Sequence, residues 1–223
     1  MVTPDELVTE HTILSVVVGS PAYGLRTANG DVDLRGVYAA PSSAWWGFDK
    51  PPTHVEGPSP RQFSWELERF LTLALAGNPL ALECLWSPMI EYRDVLGTEL
   101  TSLRSRLLSR RIYQTFLEYS NAQFDRLSSP AHPRDWERAM HMVRLLISLR
   151  HTLTTGEMLI DVTPWRHQLL AIRRGKADWG SVRAWRDKLA QQVEEANAAT
   201  SLPARPDRAA AEDFLISVRR IRL

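Results

Sequence analysis

Hydrophobic and polar positions follow two different periods, and the change of period divides the chain into two parts. Within residues 11–66, three runs are β-branched or alternate between apolar and polar residues, as strands do: TILSVVVGS, DVDLRGVYAA and RQFSWEL. The proline-, glycine- and serine-rich segment 41–60 between the last two runs is predicted to be a long loop.

From about Leu67 onward, apolar residues recur at helical spacing, with a stop at Gly77. Asn78 suits the N-cap and Pro79 the first position of the next helix. Further helices are predicted over roughly 93–108, 110–127, 134–154, 165–174 and 181–199, and after Asp207. The sequence therefore predicts an α+β protein, a small sheet domain followed by a helical domain. The boundary falls between residues 88 and 110, and we place the domains at 1–95 and 96–223.

The amino-acid composition indicates the cellular location of the protein more than its function. The 223 residues are 44% hydrophobic and 24% charged with a net charge of +1, so a nucleic-acid site would have to be a local patch. One cysteine excludes an internal disulfide and, with scattered histidines, argues against a zinc site. No apolar run reaches the length of a membrane span, and the first residues lack the basic start of a signal peptide. We therefore expect a cytoplasmic protein without a membrane partner.

The end of the first predicted strand has the composition of a helix start. Ser20 can cap a helix, and Pro21 suits its first position. The amides and the positive dipole end of such an N-terminus favour phosphate. A plain turn at Gly19-Ser20 is the alternative.

Asp31 and Asp33 lie in the next apolar run. In a strand they share one face with their Cα atoms about 6–7 Å apart, so their charges repel unless a cation lies between them. Mg²⁺ (or Mn²⁺) suits this place, because it prefers oxygen ligands and binds one or two carboxylates together with substrate phosphates. Two solvated acids on an exposed strand are the alternative.

Taken together, Gly19-Ser20 and Asp31-Val32-Asp33 resemble the nucleotidyltransferase signature of the DNA polymerase β superfamily. The longer stretch GSPAYGLRTANGDVDLRGVY resembles one branch, the RlaP-like nucleotidyltransferases linked to RNA repair. The similarity continues through LERFLTLALAGNPLALECLWSP, RAMHMVRLL, LLAIRRGKADW and SLPARPDRAA, and so covers nearly the whole chain. It implies a small polymerase-β-like mixed sheet followed by a helical domain.

The resemblance also implies roles for individual residues. Gly19 and Ser20 would hold the phosphates of a nucleoside triphosphate, and Asp31 and Asp33 would bind the catalytic metal ions. A third catalytic and metal-binding acid is expected on a later strand, and Glu66 is the predicted residue.

The third acid has alternatives. Glu68 follows at the next alternate position, and Glu56 lies earlier, in the predicted loop. An acid is also expected near the start of the strand RQFSWEL, where Arg61 stands instead. A solvent-facing position at the strand-to-helix junction is the other interpretation of Glu66.

A basic stripe is predicted on the helix over 134–154. At 100° per residue, a sector of about 140° contains Arg134, Arg138, His141, Arg144 and His151. A solvated face is the alternative, but the resemblance assigns Arg138, His141 and Arg144 to nucleotide binding, together with Arg35.

Two further residues interrupt or extend an apolar run. Glu83 is predicted to pair with an arginine as a structural bridge, and a position in the cleft is the alternative. Cys84 is predicted to be a small core residue.

The expected reaction is metal-dependent transfer of a nucleoside monophosphate from a nucleoside triphosphate to an acceptor hydroxyl, with release of pyrophosphate. Two ions about 3.5–4 Å apart would activate the hydroxyl and stabilise the leaving group. The resemblance implies RNA ends as acceptors, and a protein or small-molecule acceptor stays open. A nucleotide-binding regulator without turnover, such as an antitoxin-like module, and a helical interaction protein are the competing hypotheses.

Overall fold

One mixed sheet of five strands forms the first part of the chain. The computed structural model describes residues 2–27, 32–124, 127 and 132–223. The strands are β1 (Thr12–Val18), β2 (Asp33–Tyr38), β3 (His54–Glu56), β4 (Gln62–Glu66) and β5 (Ile90–Arg93). Their order is β3-β4-β2-β1-β5, in which β2 and β4 are parallel and the other neighbours are antiparallel.

Ten helices account for most of the rest, so the described part of the chain is 58% helical. They are α1 (Pro4–His11), α2 (Leu67–Leu75), α3 (Pro79–Trp86), α4 (Val95–Ser102), α5 (Arg104–Leu107), α6 (Arg111–Phe124), α7 (Pro133–Thr155), α8 (Arg166–Arg173), α9 (Trp179–Ala199) and α10 (Arg208–Ile221). The predicted α+β class is therefore confirmed.

Helix starts follow local chemistry closely. Asn78 accepts a hydrogen bond from the Ala81 amide at 3.1 Å, and Asp207 accepts one from the Ala210 amide at 3.0 Å. These caps begin α3 and α10 where the sequence predicts them. The helix predicted over 93–108 is instead divided at Leu103 into α4 and α5.

The two faces of the sheet pack against different partners. Leu14, Val16 and Val18 belong to the main hydrophobic cluster, which also contains apolar residues of α2, α3 and the helices beyond residue 95. Tyr38 and Val55 face the other way and pack with Leu7 and Val8 of α1. The main cluster therefore takes residues from both predicted domains, and the division after residue 95 stays a prediction.

The second half of the chain is organised around the long helix α7, which packs against α6, α8 and α9. Helix α10 returns to the first part, where the Arg222 carbonyl accepts a hydrogen bond from the Ser42 amide at 2.9 Å. Across the described segments, no helix is both long enough and apolar enough to traverse a bilayer.

Candidate active site

The segment that follows β1 makes one tight turn. Gly19 has φ of +77°, a left-handed conformation that favours glycine. The Tyr23 amide donates to the Gly19 carbonyl at 3.0 Å, and the Leu25 amide donates to the Ser20 carbonyl at 2.8 Å. The chain then continues without a helix, so the predicted helix start is wrong and the alternative, a turn, is what forms. The left-handed Gly24 (φ +71°) ends this short turn before a helix can continue.

Asp33 lies directly beside this turn. It opposes Val18 in the antiparallel β1–β2 ladder. A Cβ built on Gly19 would lie 3.5 Å from Oδ2 of Asp33, so this carboxylate points at the turn. Its side chain is 37% exposed and therefore accessible to a ligand. The structure thus brings Gly19 and Asp33 together as predicted, while Asp31 lies outside the described residues.

Two arginines of α8 hold the turn from the helical side. Nη1 of Arg173 donates to Oγ of Ser20 at 3.2 Å, and Nη2 of the same guanidinium lies 3.1 Å from Oε1 of Glu137. Arg166 donates to the carbonyl oxygens of Gly24 and Arg26. A cationic group therefore lies against the serine expected to bind phosphate. Neither arginine was predicted from the sequence to belong to the site, although the stretch LLAIRRGKADW that contains Arg173 is part of the resemblance.

Gly24 is the point of closest approach between the turn and the helical part. A Cβ at this position would lie 2.2 Å from Oγ1 of Thr163 and 2.6 Å from Oδ1 of Asp161, in addition to its positive φ. We expect Gly24→Ala to lower the free energy of unfolding by about 1–3 kcal/mol, as strained backbone positions do. Urea denaturation measures this. Gly47→Ala is the control, because a Cβ there meets nothing within 4 Å, and an equal effect of both substitutions would contradict the close contact.

A buried cluster of polar side chains includes Tyr23 of the turn and connects it to α3 and α7. Nη1 of Arg144 donates to Oε1 of Glu83 at 2.7 Å, and the Tyr23 hydroxyl donates to Oε2 of Glu83 at 2.6 Å. The Arg144 guanidinium lies 3.8 Å from the centre of the Tyr23 ring. Burial raises the pKa of the Tyr23 hydroxyl. Burial alone would lower the pKa of Arg144, but the Glu83 carboxylate raises it by more, so the net shift is upward and Arg144 stays charged.

This cluster decides several predictions. Glu83 is the structural partner of an arginine, as predicted, and Cys84 is a buried core residue, 2% exposed, also as predicted. Arg144 is paired with Glu83 and is 3% exposed, and its role in nucleotide binding stays a prediction. Arg138, also in the predicted stripe, pairs with Asp135 at 3.3 Å on the same helix.

His141 lies between the cluster and α8. Its Nδ1 is 3.4 Å from Nε of Arg144, and its ring meets the Tyr23 ring edge-on at 6.3 Å. Burial and the charges of Arg144 and Arg173 lower the pKa of His141 to about 3. His141 therefore lies against Arg144 and Tyr23 of the buried cluster as a neutral imidazole.

The neutral state of His141 predicts a pH dependence of stability. An unfolded histidine takes up a proton below about pH 6.5, whereas the folded one does so only near pH 3. The stability contribution is therefore complete above pH 6.5 and is lost as the pH falls between these values, by up to about 2 kcal/mol at pH 5. We expect His141→Gln to flatten this decline in urea denaturation between pH 7 and pH 5, and the exposed control His167→Gln to leave it unchanged. Parallel slopes for His141→Gln and the wild type would contradict the assignment.

Comparison with known proteins agrees with this arrangement. The family model RlaP, described as the RNA repair pathway DNA polymerase beta family, matches residues 5–217. The chain belongs to this family. Membership supports a nucleotidyltransferase-type function. No curated protein matches the chain.

In this RlaP family member, Glu66 is not part of the site around Asp33. Glu66 pairs with Tyr38 in the parallel β2–β4 ladder, five residues or about 16 Å along β2 from Asp33. Because alternate residues of a strand face opposite sides, Glu66 also lies on the other face of the sheet. The structure therefore does not bring Glu66 together with Asp33, and its role as a catalytic acid stays a prediction.

Glu66 has a structural position instead. It is 1% exposed, its Oε1 lies 2.8 Å from Nη2 of Arg219 on α10, and its Oε2 accepts from the Glu68 amide at 2.7 Å. Burial raises the pKa of Glu66. The charge of Arg219 and the hydrogen bond from the Glu68 amide act in the opposite direction and offset part of this rise. The first amides of α2 and the C-terminal helix are thereby tied to the end of β4.

The arrangement fits one divalent ion bound jointly with phosphate. Asp33 offers an accessible carboxylate beside the turn, and Mg²⁺ commonly uses one or two carboxylates plus substrate phosphates. In the described ranges, no three carboxylate, imidazole or thiol groups come together as a metal site. Glu56 lies beyond β4, opposite Phe63, and Glu68 lies on α2 with its Oε2 3.8 Å from Arg219. The residues described therefore do not supply the third carboxylate of a two-ion site.

Proposed function

We propose that this RlaP family member binds a nucleoside triphosphate at the Gly19–Ser20 turn and transfers its nucleoside monophosphate to an acceptor hydroxyl. One observation carries the proposal. The Asp33 carboxylate points at the turn from the sheet side, while Arg173 contacts Ser20 from the helical side. A carboxylate that suits a metal ion and a guanidinium that suits phosphate therefore both lie against the Gly19–Ser20 turn.

The chemistry requires mostly positioning and charge neutralisation. The acceptor oxygen forms a bond to the α-phosphorus, the bond from that phosphorus to the pyrophosphate oxygen breaks, and the hydroxyl proton is released to solvent. A bound Mg²⁺ would supply charge neutralisation and polarisation of the reacting phosphate. Asp33 would orient that ion, Gly19 would allow the phosphates close to the backbone, and Ser20 with Arg173 would bind their oxygens. Arg35, predicted to bind nucleotide, shares the face of Asp33, which supports its assignment to the same ligand.

Hydroxyl groups at RNA ends are the proposed acceptors, and the family description supports this choice. The test incubates the purified chain with each labelled nucleoside triphosphate, Mg²⁺ or Mn²⁺, and separate pools of RNA and protein. We expect a labelled product in the RNA pool that is lost when EDTA removes the metal. A product in the protein pool alone would reassign the acceptor, and no product in any pool would contradict transfer.

A second candidate is a nucleotide-binding module without turnover. The separation of Glu66 from Asp33 favours it, because a two-ion mechanism lacks its third carboxylate in the described residues. This candidate predicts that nucleoside triphosphate raises the melting temperature of the protein, as any ligand selective for the folded state does, while no acceptor is labelled.

A further inference from the structure

We propose that Arg61 is a phosphate-binding residue of this site, which supplies a fixed positive charge beside Asp33. The proposal rests on the proposed function in one respect, that a nucleoside triphosphate binds at the Gly19–Ser20 turn. It adds a positively charged residue at the start of the segment RQFSWEL, where the resemblance implies a negatively charged one. Its consequence is that part of the polyphosphate charge is neutralised by the protein and not by a metal ion.

The sheet register places Arg61 beside Asp33. The parallel β2–β4 ladder begins with Leu34 opposite Gln62, and Arg61 is the turn residue just before β4, next to the start of β2 at Asp33. Nη1 of Arg61 lies 3.8 Å from Oδ1 of Asp33, whose other oxygen faces Gly19. The guanidinium is therefore on the phosphate side of the sheet.

The contact between these two charges is loose. Their separation is near the upper limit of an ion pair, and the side chains of Arg61 and Asp33 are 53% and 37% exposed. Exposed pairs of this kind are held weakly, because water screens them. A phosphate group would offer the half-exposed guanidinium of Arg61 a bidentate acceptor of higher charge than a single carboxylate.

The backbone at Arg61 is in the left-handed region, which a residue with a Cβ adopts only at a cost. Its φ is +62°, and among the described residues it is the only non-glycine with a positive value. Glycine would adopt this conformation without the penalty that a Cβ adds. The carbonyl of Arg61 accepts hydrogen bonds from the Leu34 amide at 3.1 Å and from Nη1 of Arg35 at 3.3 Å. These contacts fix the backbone of Arg61 beside β2, just before β4 begins.

Two cations then lie at the site. Arg173 contacts Ser20 from α8, and Arg61, just before β4, lies beside Asp33. Glu137 partly neutralises Arg173, since its carboxylate lies 3.1 Å away. A triphosphate chain lying on the turn would therefore meet a guanidinium on each side of it, and Arg61 is the one on the same side as Asp33.

The experiment titrates the full chain with a fluorescent adenosine triphosphate analogue, once in EDTA and once in Mg²⁺. Arg61→Asn removes the charge but keeps a residue type that tolerates positive φ. We expect it to weaken binding in EDTA by about 10- to 100-fold, the range for a lost charge-assisted hydrogen bond, with a smaller loss in Mg²⁺. Arg61→Lys should restore part of the affinity, and the control Arg69→Asn, an exposed arginine of α2, should bind within about twofold of the wild type.

Arg61→Gly separates binding from folding. It relieves the backbone strain, so its melting temperature should equal or exceed that of the wild type, while its affinity in EDTA should fall as for Arg61→Asn. If the wild type binds and both variants bind within about twofold of it in each buffer, the role of Arg61 is overturned and the proposed function stands. If the wild type binds no nucleoside triphosphate in either buffer, the proposed function and this inference fail together.

Discussion

Glu83→Ala is expected to lower the free energy of unfolding by about 3–5 kcal/mol, because it leaves the buried Arg144 charge without its carboxylate. Both side chains are almost fully buried, at 4% and 3% exposure. The substitution also removes the acceptor of the Tyr23 hydroxyl, which connects the turn to α3. Urea denaturation followed by circular dichroism measures the loss. The control Glu99→Ala, at an exposed glutamate of α4, should change stability by less than about 0.5 kcal/mol.

A double substitution distinguishes a lost partner from a general packing defect. Glu83→Leu combined with Arg144→Met replaces both charges with apolar groups, and buried pairs replaced in this way often cost little stability. We expect the double variant to be more stable than Glu83→Ala. A loss under about 1 kcal/mol for Glu83→Ala itself would contradict the buried ion pair.

Asp33→Asn is expected to reduce nucleotidyl transfer by at least about 100-fold, the scale on which loss of one electrostatic group at a reacting centre lowers rates. The amide keeps the size of the side chain but removes the charge that would hold the metal ion. Stability should change little, because the side chain is partly exposed and its contact with Arg61 is long. The labelled-nucleotide assay measures the rate, and Asp213→Asn on the exposed face of α10 is the matched control. Transfer by Asp33→Asn within about threefold of the wild type would remove Asp33 from the mechanism.

Local patterns made much of the fold predictable. Strands β1, β2 and β4 come from runs that are β-branched or alternate, and α3 and α10 begin at capping residues visible in the sequence. Helix α1 was missed although Thr3 and Glu6 form a capping box before it, which is a readable signal. Strand β5 has four exposed residues, and its apolar–polar alternation, Ile-Glu-Tyr-Arg, is too short to have indicated its pairing with β1.

The site was predictable only where its parts are close in sequence. Gly19 and Asp33 meet because β1 and β2 are consecutive antiparallel strands. The position of Glu66 relative to Asp33 could not be predicted, because alternation shows that successive residues change face but not which face, or which end of β4, lies beside Asp33. The parallel register with β2 separates the two acids, and Arg61 is the residue beside Asp33. Arg173 reaches Ser20 across 153 positions, a contact that no local pattern specifies.

A crystal structure of the protein with a non-hydrolysable nucleoside triphosphate and Mg²⁺ tests the central claim most directly. We predict density for the triphosphate on the Gly19–Ser20 turn, with its oxygens within hydrogen-bonding distance of the Arg173 guanidinium and a metal ion against Asp33. A triphosphate bound elsewhere on the molecule, with the turn and Asp33 untouched, would contradict the account.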